Sequence, residues 1–276
     1  MYMIRSNPHT HTDYVDGKSP ARDMIKRALE LGFTSLGFSE HAYQPDIEPL
    51  YGLTDPNRKR YINEIVSLRR EYEGRIRIWL GLEIDRMSPE SGEGLDYFIG
   101  ANHYLTSRNG DFAAVDGDAD LLEAYVARAF DGSWDKAIER YFKDYADFVE
   151  KKPPAIIAHF DLICKSNRKR HWFKEDGALI DCGKEAMRRM IRSCRVLEVN
   201  TGGMARSGQP CPYPVQPLLA FWRELGGQVI PSSDCHRAHQ LDAFFDIAPE
   251  YMRAAGFTEC LALGKGDRLF ETVSLI

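Results

Sequence analysis

The sequence predicts one α/β domain closed into a barrel of about seven βα units. Three observations point there. Short apolar, β-rich runs alternate with helical stretches along the chain, the pattern of repeated βα units. Residues suited to metal binding stand at the C-terminal ends of those runs, where barrel enzymes place their chemistry. Those residues also span positions 9 to 236; a closed ring brings its first and last strands together, whereas an open sheet could leave them at opposite edges. An open doubly wound sheet would further call for a glycine-rich phosphate loop after the first strand, and His9-Thr-His-Thr stands there instead.

The elements follow in order. A short first run leads into His9. Ser19-Pro20 reads as an N-cap followed by proline at the first helical position. The helix it opens covers 20–31, carries Met24, Ile25, Ala28 and Leu29 on one face, and stops at Gly32. Residues 35–41 form a second strand that ends at Glu40-His41. An amphipathic stretch near 56–73 precedes the third strand, Ile76 to Asp85, which delivers Glu83. Asp96 to Tyr104 is the fourth and carries His103. The segment 105–152 is atypically long and is read as an insertion holding a loop and two helices, 119–129 and 134–151. Tyr141, Tyr145 and Phe148 share an apolar face of the second, and Pro153-Pro154 ends it. Strands five to seven are Ala155 to Asp161, Val196 to Thr201 and Gln228 to Ser233. A helix near 249–255 and a last strand near 259–263 or 268–275 close the domain. No repeat, low-complexity tract or linker divides the 276 residues, a length common for single-domain barrels.

Composition narrows the function classes. With 43% hydrophobic residues there is ample material for a core. No apolar run reaches the roughly 18 residues needed to cross a bilayer, and no charged-then-apolar leader opens the chain. No membrane role and a cytoplasmic location are therefore expected. The six cysteines are scattered, without a C-x-x-C pair, which fits reduced thiols in a cytoplasm. A net charge of −5 argues against broad electrostatic binding to nucleic acid. The basic run Lys165 to Arg170 stands out. Such runs are commonly solvated loops, but this one begins six residues after His159, which leaves a phosphate-facing role open.

The chemistry lies in His9, His11, His41, Glu83, His103, His159, Asp234 and His236. In an extended strand, residues i and i+2 point the same way. His9 and His11 thus converge, as do Asp234 and His236, with Thr10 and Cys235 on the opposite side. Imidazole and carboxylate without thiolate form a ligand set that suits Zn, Mn, Fe or Co in a hydrolytic site. The ligands exceed what one ion can take, so more than one metal is expected. A lone buried histidine is more often a hydrogen-bonded core residue than a ligand; an ordered set of this size reverses that expectation. Glu40 faces away from His41 and is expected in a cap or salt bridge, while Asp85 shares the strand face of Glu83 and is a weaker candidate for the site. Asn102 and Asn200 are expected to orient backbone or water, and His171 and His239 to lie on the surface. The aromatic stripe at 141–148 is core or lid packing rather than a base-stacking platform.

His9-Thr-His-Thr-Asp-Tyr-Val-Asp16-Gly17 resembles the opening motif of the PHP (polymerase and histidinol phosphatase) superfamily. Gly81-Leu-Glu83, Gly100-Ala-Asn-His103-Tyr, Ala158-His159-Phe-Asp-Leu and Ser233-Asp234-Cys-His236-Arg resemble its later motifs in order, so the resemblance covers nearly the whole chain. Leu197-Glu-Val-Asn-Thr-Gly-Gly-Met-Ala-Arg206, with Pro212-Tyr-Pro after it, is similar to the histidinol-phosphate phosphatase branch. That resemblance implies a distorted, TIM-like (β/α)7 barrel and a centre of three divalent metal ions. It also implies hydrolysis of L-histidinol phosphate to L-histidinol and phosphate, a step in histidine biosynthesis. Residue by residue, it implies that His9, His11, Glu83 and Asp234 hold the first metal. Glu83 bridges to a second, completed by His103 and His159, and Asp16, His41 and His236 hold the third. Where the phosphatase branch carries histidine, as Cys-x-His-Gly, this chain reads Val15-Asp16-Gly17. A carboxylate can do the same work with one more negative charge.

A phosphate monoester dianion resists attack by water, and metals counter this by withdrawing charge and activating a bound water. On this reading a hydroxide bridging two metals attacks phosphorus in line, and Glu83, Asp234 and His236 are the catalytic positions. Arg206 is the first candidate for binding phosphate, since guanidinium matches it bidentately; Lys165 and Arg168 are weaker ones. His239, Asp161 and a metal-bound water are candidates for the proton donor to the leaving alkoxide. The expected partner is a small-molecule phosphate monoester. A PHP-type phosphodiesterase or nuclease would need an open cleft with basic and aromatic residues, against the enclosed pocket that the 105–152 insertion suggests. A non-catalytic metal-binding module would usually have lost ligands, and this chain retains the set.

Overall fold

The computed structural model describes residues 4–47 and 51–275. The first half runs β1 (Ser6–Asn7), α1 (Ala21–Glu30), β2 (Ser35–His41), α2 (Asp55–Glu71), β3 (Arg77–Asp85) and β4 (Tyr97–Ala101). A short hairpin, β5 (Tyr104–Thr106) and β6 (Phe112–Ala114), precedes α3 (Ala119–Ala129) and α4 (Trp134–Lys151). Then come β7 (Ile156–Ile157), α5 (Cys164–Arg170), α6 (Gly177–Met190), β8 (Val196–Asn200), α7 (Gly202–Ser207), α8 (Gln216–Glu224) and β9 (Gln228–Ser232). The chain ends in α9 (Ala248–Ala254), β10 (Glu259–Leu263) and β11 (Phe270–Ser274).

Seven strands form one parallel sheet in the order β1-β2-β3-β4-β7-β8-β9. The sheet comes round on itself at its C-terminal end. Thr10 and Cys235, just past β1 and β9, form a parallel bridge: the His11 N–H donates to Cys235 O (2.8 Å) and the Cys235 N–H to His9 O (3.0 Å). At the opposite end the antiparallel β10–β11 hairpin lies against the sheet. There Leu263 N–H donates to Ser6 Oγ (3.0 Å), Ser35 Oγ–H to Leu263 O (2.6 Å) and Trp79 Nε1–H to Gly264 O (2.8 Å). The result is the distorted seven-unit barrel that the ligand positions called for.

Strand alternation decides what each face of β3 does. Ile78, Leu80 and Leu82 belong to the large core under the helices, with Phe38, Ile65, Phe142 and Trp222. Trp79 belongs to a smaller cluster with Tyr97, Ile99, Ile156, Ile230 and Leu261, which fills the barrel interior. Gly81, Glu83 and Asp85 continue that inner face upward, so the strand passes from packing to chemistry within a few residues. Tyr97 lies across the missing side chains of Gly37 and Gly81 and donates its hydroxyl to Pro8 O.

Several local expectations change. Pro20, not Ser19, occupies the cap position of α1, and Ser19 Oγ accepts from Ala238 N–H (3.1 Å) instead. The basic run is a helix, α5, rather than a solvated loop. Helices α6 and α8 stand at 177–190 and 216–224, beyond the helices expected from the sequence. Both 259–263 and 270–274 are strands, paired with each other. The segment expected as one insertion divides in two. α4 is a barrel helix, since Tyr145 Oη lies 2.7 Å from both Gly100 O and Ala158 O at the ends of neighbouring strands. The added part is the β5–β6 hairpin with α3. No helix among the described residues is long and apolar enough to cross a membrane.

A Cβ at Gly81 would fall 2.6 Å from two ring carbons of Tyr97, whose hydroxyl is tethered and cannot swing away. Gly81→Ala is therefore expected to cost about 1–3 kcal/mol through overpacking. The measurement is a urea denaturation curve, with a lower midpoint at an unchanged slope; a midpoint equal to wild type would mean the interior has room to give.

Candidate metal centre

Each barrel strand delivers its polar residues at the C-terminal mouth. His9 and His11 follow β1, His41 ends β2, Glu83 and Asp85 end β3, and His103 follows β4. His159 follows β7, Glu198 and Asn200 lie on β8, and Asp234 and His236 follow β9. Asp16 comes from the loop after β1. Closure of the barrel brings residues more than two hundred positions apart into one cluster.

Glu83 is its hub. Oε1 lies 2.9 Å from His159 Nε2 and 3.3 Å from His103 Nε2. Oε2 lies 2.9 Å from His41 Nδ1, 3.3 Å from His9 Nε2 and 3.5 Å from His11 Nε2. Asp234 Oδ1 stands 3.3 Å from His11 Nε2 and 3.6 Å from His9 Nε2. Asp16 Oδ2 stands 3.2 Å from His236 Nε2 and 3.6 Å from His41 Nε2, and it accepts the Tyr51 hydroxyl at 2.9 Å.

These side chains fit divalent cations by their own chemistry. His9 Nε2, His11 Nε2 and Asp16 Oδ1 are buried without a hydrogen-bond partner, though ligand-type atoms stand close by. Such orphaned atoms are rare unless an ion or water serves them. Ligand atoms within 4.8 Å of one another form three groups among the described residues: His11, Asp16, His41 and His236; His9, His11 and Asp234; His41, Glu83 and His103. The grouping differs in detail from the sets implied by the resemblance. His41 joins Glu83 and His103, and His159 meets the same carboxylate from the other side. The protein can hold more than one divalent ion.

A second layer holds the imidazoles in place, and this layer was largely missed from the sequence. His9 Nδ1 lies 2.6 Å from Glu198 Oε1, and Glu198 Oε2 accepts the His159 main-chain N–H (2.8 Å). His103 Nδ1 lies 3.1 Å from Asp85 Oδ2, which also accepts the His103 N–H at 2.8 Å. Glu40 accepts both the N–H and the hydroxyl of Thr12, and its other oxygen is 3.8 Å from His11 Nδ1. A carboxylate on the outer nitrogen fixes the ring's orientation and raises its basicity as a ligand. Asp85 and Glu40 thus serve the site from behind. Asn200 donates to Glu198 Oε2 (2.9 Å) and Asp234 Oδ2 (3.3 Å), and Asn102 donates to Tyr141 O (3.2 Å). The signal that could have revealed Glu198 is a single carboxylate inside the apolar strand Val196–Asn200, since a buried charge must be paired.

Opposing charges set the ionisation of these side chains. Burial opposes the charged form of His9, yet Glu198, Asp234 and Glu83 raise its pKa well above the ordinary value. For His41, burial is likewise outweighed by Glu83 and Asp16, which lift it to about 10. His103 follows the same pattern with Glu83 and Asp85. Burial pushes Glu83 upward, but His41, His9 and His103 hold it well below the carboxylate range. The carboxylates favour positive charge among the imidazoles, and divalent cations would supply it.

The cluster forms the floor of a cavity of about 310 Å³. Arg206 and Lys165 stand in its wall, with Tyr51, Tyr104, Leu162 and Asp116. Arg206 Nη2 donates to Asp234 Oδ2 (2.6 Å), and Nη1 contacts Asp234 O and lies 3.0 Å from His236 Nδ1. Lys165 donates to Asp116 O at 2.8 Å. Arg168 does not line the cavity: Glu175 takes its Nε at 3.2 Å, Gln209 Oε1 takes Nη1 at 3.2 Å, and its guanidinium lies over the Tyr213 ring. Asp161 is fully buried outside the cavity lining, where it accepts the Val215 N–H (2.9 Å). His239 lies in the turn Ala238–Gln240, also outside the lining, and His171 is exposed.

Protein purified without chelator is expected to hold between two and three divalent ions per chain on the ligand supply above. Glu83→Ala should lose more than one of them, because its oxygens face separate groups of imidazoles; elemental analysis showing unchanged content would contradict a bridging role. Metal loading should also release protons. With His41 lifted to about 10, the metal-free site carries its proton at pH 8, and ligation requires its loss. Adding Zn²⁺ to metal-free protein in dilute buffer should acidify it, whereas a flat pH trace would mean the nitrogens do not ligate.

Comparison with known proteins gives a consistent picture. A protein of Schizosaccharomyces pombe described as a probable histidinol-phosphatase is 27% identical over 95% of this chain and 90% of its own length. A histidinol-phosphatase of Bacillus subtilis is 28% identical over 59% of this chain and 68% of its own. The crystal structure of histidinol phosphate phosphatase from Lactococcus lactis, complexed with Zn, L-histidinol and phosphate, superposes with a TM-score of 0.68 at 18% identity. That superposition covers 95% of this chain and 97% of that one, and it shows a shared fold. The PHP domain family model matches residues 7–202, a span that includes every ligand-type residue from His9 to His159, and the chain belongs to the PHP domain family.

Proposed function

We propose that the protein is a metal-dependent phosphatase that hydrolyses L-histidinol phosphate to L-histidinol and phosphate. The observation that carries this reading is a His/carboxylate centre on the floor of a small cavity with Arg206 and Lys165 in its wall. The similarity to histidinol-phosphatases along most of the chain supports the choice of ester. Divalent ions held by Glu83, Asp234 and the imidazoles would draw charge from the phosphoryl oxygens and bring a water's pKa toward neutrality.

The chain's own residues supply position and charge. Glu83 holds the two halves of the centre at a fixed separation, and Asp234 and His236 complete its rim beside Arg206. The guanidinium of Arg206 is braced on Asp234, which keeps it ionised and aimed, with a third of the side chain left open to the cavity. It can offer its free N–H groups to a phosphoryl oxygen while steadying a metal ligand. Lys165 places a second cation in the cavity wall. The lining is too confined, and too rich in carboxylate, to suit a polyanion, which favours a small monoester over nucleic acid. A cytoplasmic setting belongs to the same reading, with Cys164, Cys194 and Cys235 buried as thiols.

The test compares metal-loaded protein on L-histidinol phosphate, a nucleoside monophosphate and a phosphate diester. The proposal requires the highest kcat/KM on the first. Preference for the diester would support a phosphodiesterase, and no turnover of any would support a metal-binding module. Arg206→Ala is expected to lower kcat/KM on histidinol phosphate by about 10²–10³-fold, as for loss of one preorganised electrostatic donor. Metal content should fall modestly as Asp234 loses its brace, and lysine should restore only part of the rate, since it lacks the fork geometry. Kinetics within about twofold of wild type in a fully metallated variant would remove Arg206 from the site.

A further inference from the structure

We propose that the end of the barrel opposite the metal centre carries a second anion site, a cavity lined by Arg69, Arg70, Arg75, Arg77 and Lys265 that takes a small condensed phosphate such as a diphosphate or triphosphate. Arg77 begins β3 and Glu83 stands near its end. Six residues of extended strand at about 3.3 Å each set the two places roughly 20 Å apart.

The cavity measures about 500 Å³ and lies between the end of α2, the starts of β2 and β3, and the turn after β10. Five cationic side chains line it against one carboxylate, Glu73, in a chain whose net charge is −5. Cations in the last turn of a helix are common because they offset its dipole, which accounts for Arg69 and Arg70. Arg75, Arg77 and Lys265 come from outside that helix, so the dipole does not explain their convergence with the first two.

Two of the guanidinium groups are held in place. Arg69 Nη2 donates to Asp96 Oδ2, and Arg77 lies over the Trp79 ring with its Cζ 4.6 Å from the centroid. The Nε atoms of both are buried with no hydrogen-bond partner, a condition that buried donors rarely keep unless water or a bound group serves them. Charge compensation is thin. Asp267 approaches Arg77 only to 4.0 Å and is itself fully exposed, and Arg70 and Lys265 form no ion pair among the described residues. Ile76 and Ile78 form apolar wall beneath these groups, and such walls concentrate the field of one-signed charge.

Guanidinium groups match phosphate oxygens in pairs, and a cluster of them suits a ligand with more than one phosphoryl group. A cavity of this volume is of the size that holds small ligands. It is a bounded patch on an acidic protein rather than a long basic stripe, which favours a small phosphate over nucleic acid.

The experiment measures, by equilibrium dialysis of metal-loaded protein, the binding of labelled methylenediphosphonate, a diphosphate mimic whose bridging carbon resists hydrolysis. The metal centre can bind the same probe, so wild type is compared with Arg70→Ser/Lys265→Ser and with Glu73→Gln, none of which touches that centre. The double variant is expected to weaken one class of site by at least about 10-fold, as for loss of charge-assisted contacts, with metal content unchanged. Glu73→Gln should tighten the same site by about 2–5-fold, the size of one exposed charge interaction. Equal binding by wild type and the double variant overturns the proposal, as does weaker binding by Glu73→Gln. A single-stranded RNA that displaces the probe from this site at lower concentration than inorganic triphosphate would make the face a nucleic-acid surface and overturn it too. None of these readouts is turnover, so they hold whether or not the protein hydrolyses histidinol phosphate.

Discussion

Glu83 projects from β3 into the barrel axis at 2% exposure, with imidazoles of His9, His11, His41, His103 and His159 all within 3.5 Å of its oxygens. A charge taken so far from water is costly unless it is paired. Here every neighbour is an ionisable ring, so the pairing can be met by protons or by metal. The carboxylates behind the rings, Glu198 and Asp85, settle which nitrogen faces inward. By occupying the outer Nδ1 of His9 and of His103 they leave both Nε2 atoms for the centre. The inner carboxylate supplies charge and the outer ones supply orientation, and neither layer works without the other.

That constraint reaches into the backbone. The centre draws ligands from the first strand and from the last, so the sheet has to close where they meet. It closes there: the only residues joining β1 to β9 in the described bridges are Thr10 and Cys235, each flanked by ligand-type residues. Their own side chains point away from the centre, as the alternation of His9-Thr-His11 and Asp234-Cys-His236 requires. Asp234 itself adopts φ +46°, a left-handed conformation that aspartate tolerates better than most residues. Strained backbone of this kind persists where surrounding contacts over-determine it, and Arg206 grips both the carboxylate and the carbonyl of this residue.

The barrel and its ligand-type residues were legible because both signals are local. A His-x-His pair after a β-run needs only strand alternation to interpret, and the order of runs and helices needs only periodicity. The supporting residues were not legible for the opposite reason. Glu198 serves His9 across 189 positions, and Tyr51 serves Asp16 across 35; nothing near either residue announces the partner. Arg168 shows the converse failure. It sits in a basic run close after His159, yet the turn of α5 directs it to Glu175 and Gln209, while Lys165, three residues earlier, faces the cavity. Charge runs identify a segment, and helical phase decides which member reaches the site. The 105–152 segment makes the same point: its length suggests one insertion, but the hydroxyl of Tyr145, set between the carbonyls of two neighbouring strands, makes α4 part of the barrel wall.

What remains of that segment shapes the chemistry available to the site. The barrel residues alone make a floor that would hold metal and meet any phosphoryl group, because nothing in a ring of imidazoles and carboxylates distinguishes one ester from another. Selectivity has to come from the walls, and the walls come from two sources. The β8 side contributes Arg206, fastened to a metal ligand and therefore tied to the phosphoryl end of whatever binds. The added hairpin contributes Tyr104 and the turn that carries Asp116, held to the barrel by Arg86 against Thr106 Oγ1, by the Val115 N–H donating to His103 O (2.8 Å), by Leu105 and Val115 in the main core, and by Lys165 donating to Asp116 O. The first wall is coupled to the centre and can change little without disturbing it. The second supplies no member of the groups that could hold metal, so its side chains can vary while the centre stays intact. A fold that keeps its metal floor constant and hangs its substrate-facing residues on an added loop can change which ester it accepts at small cost to the chemistry.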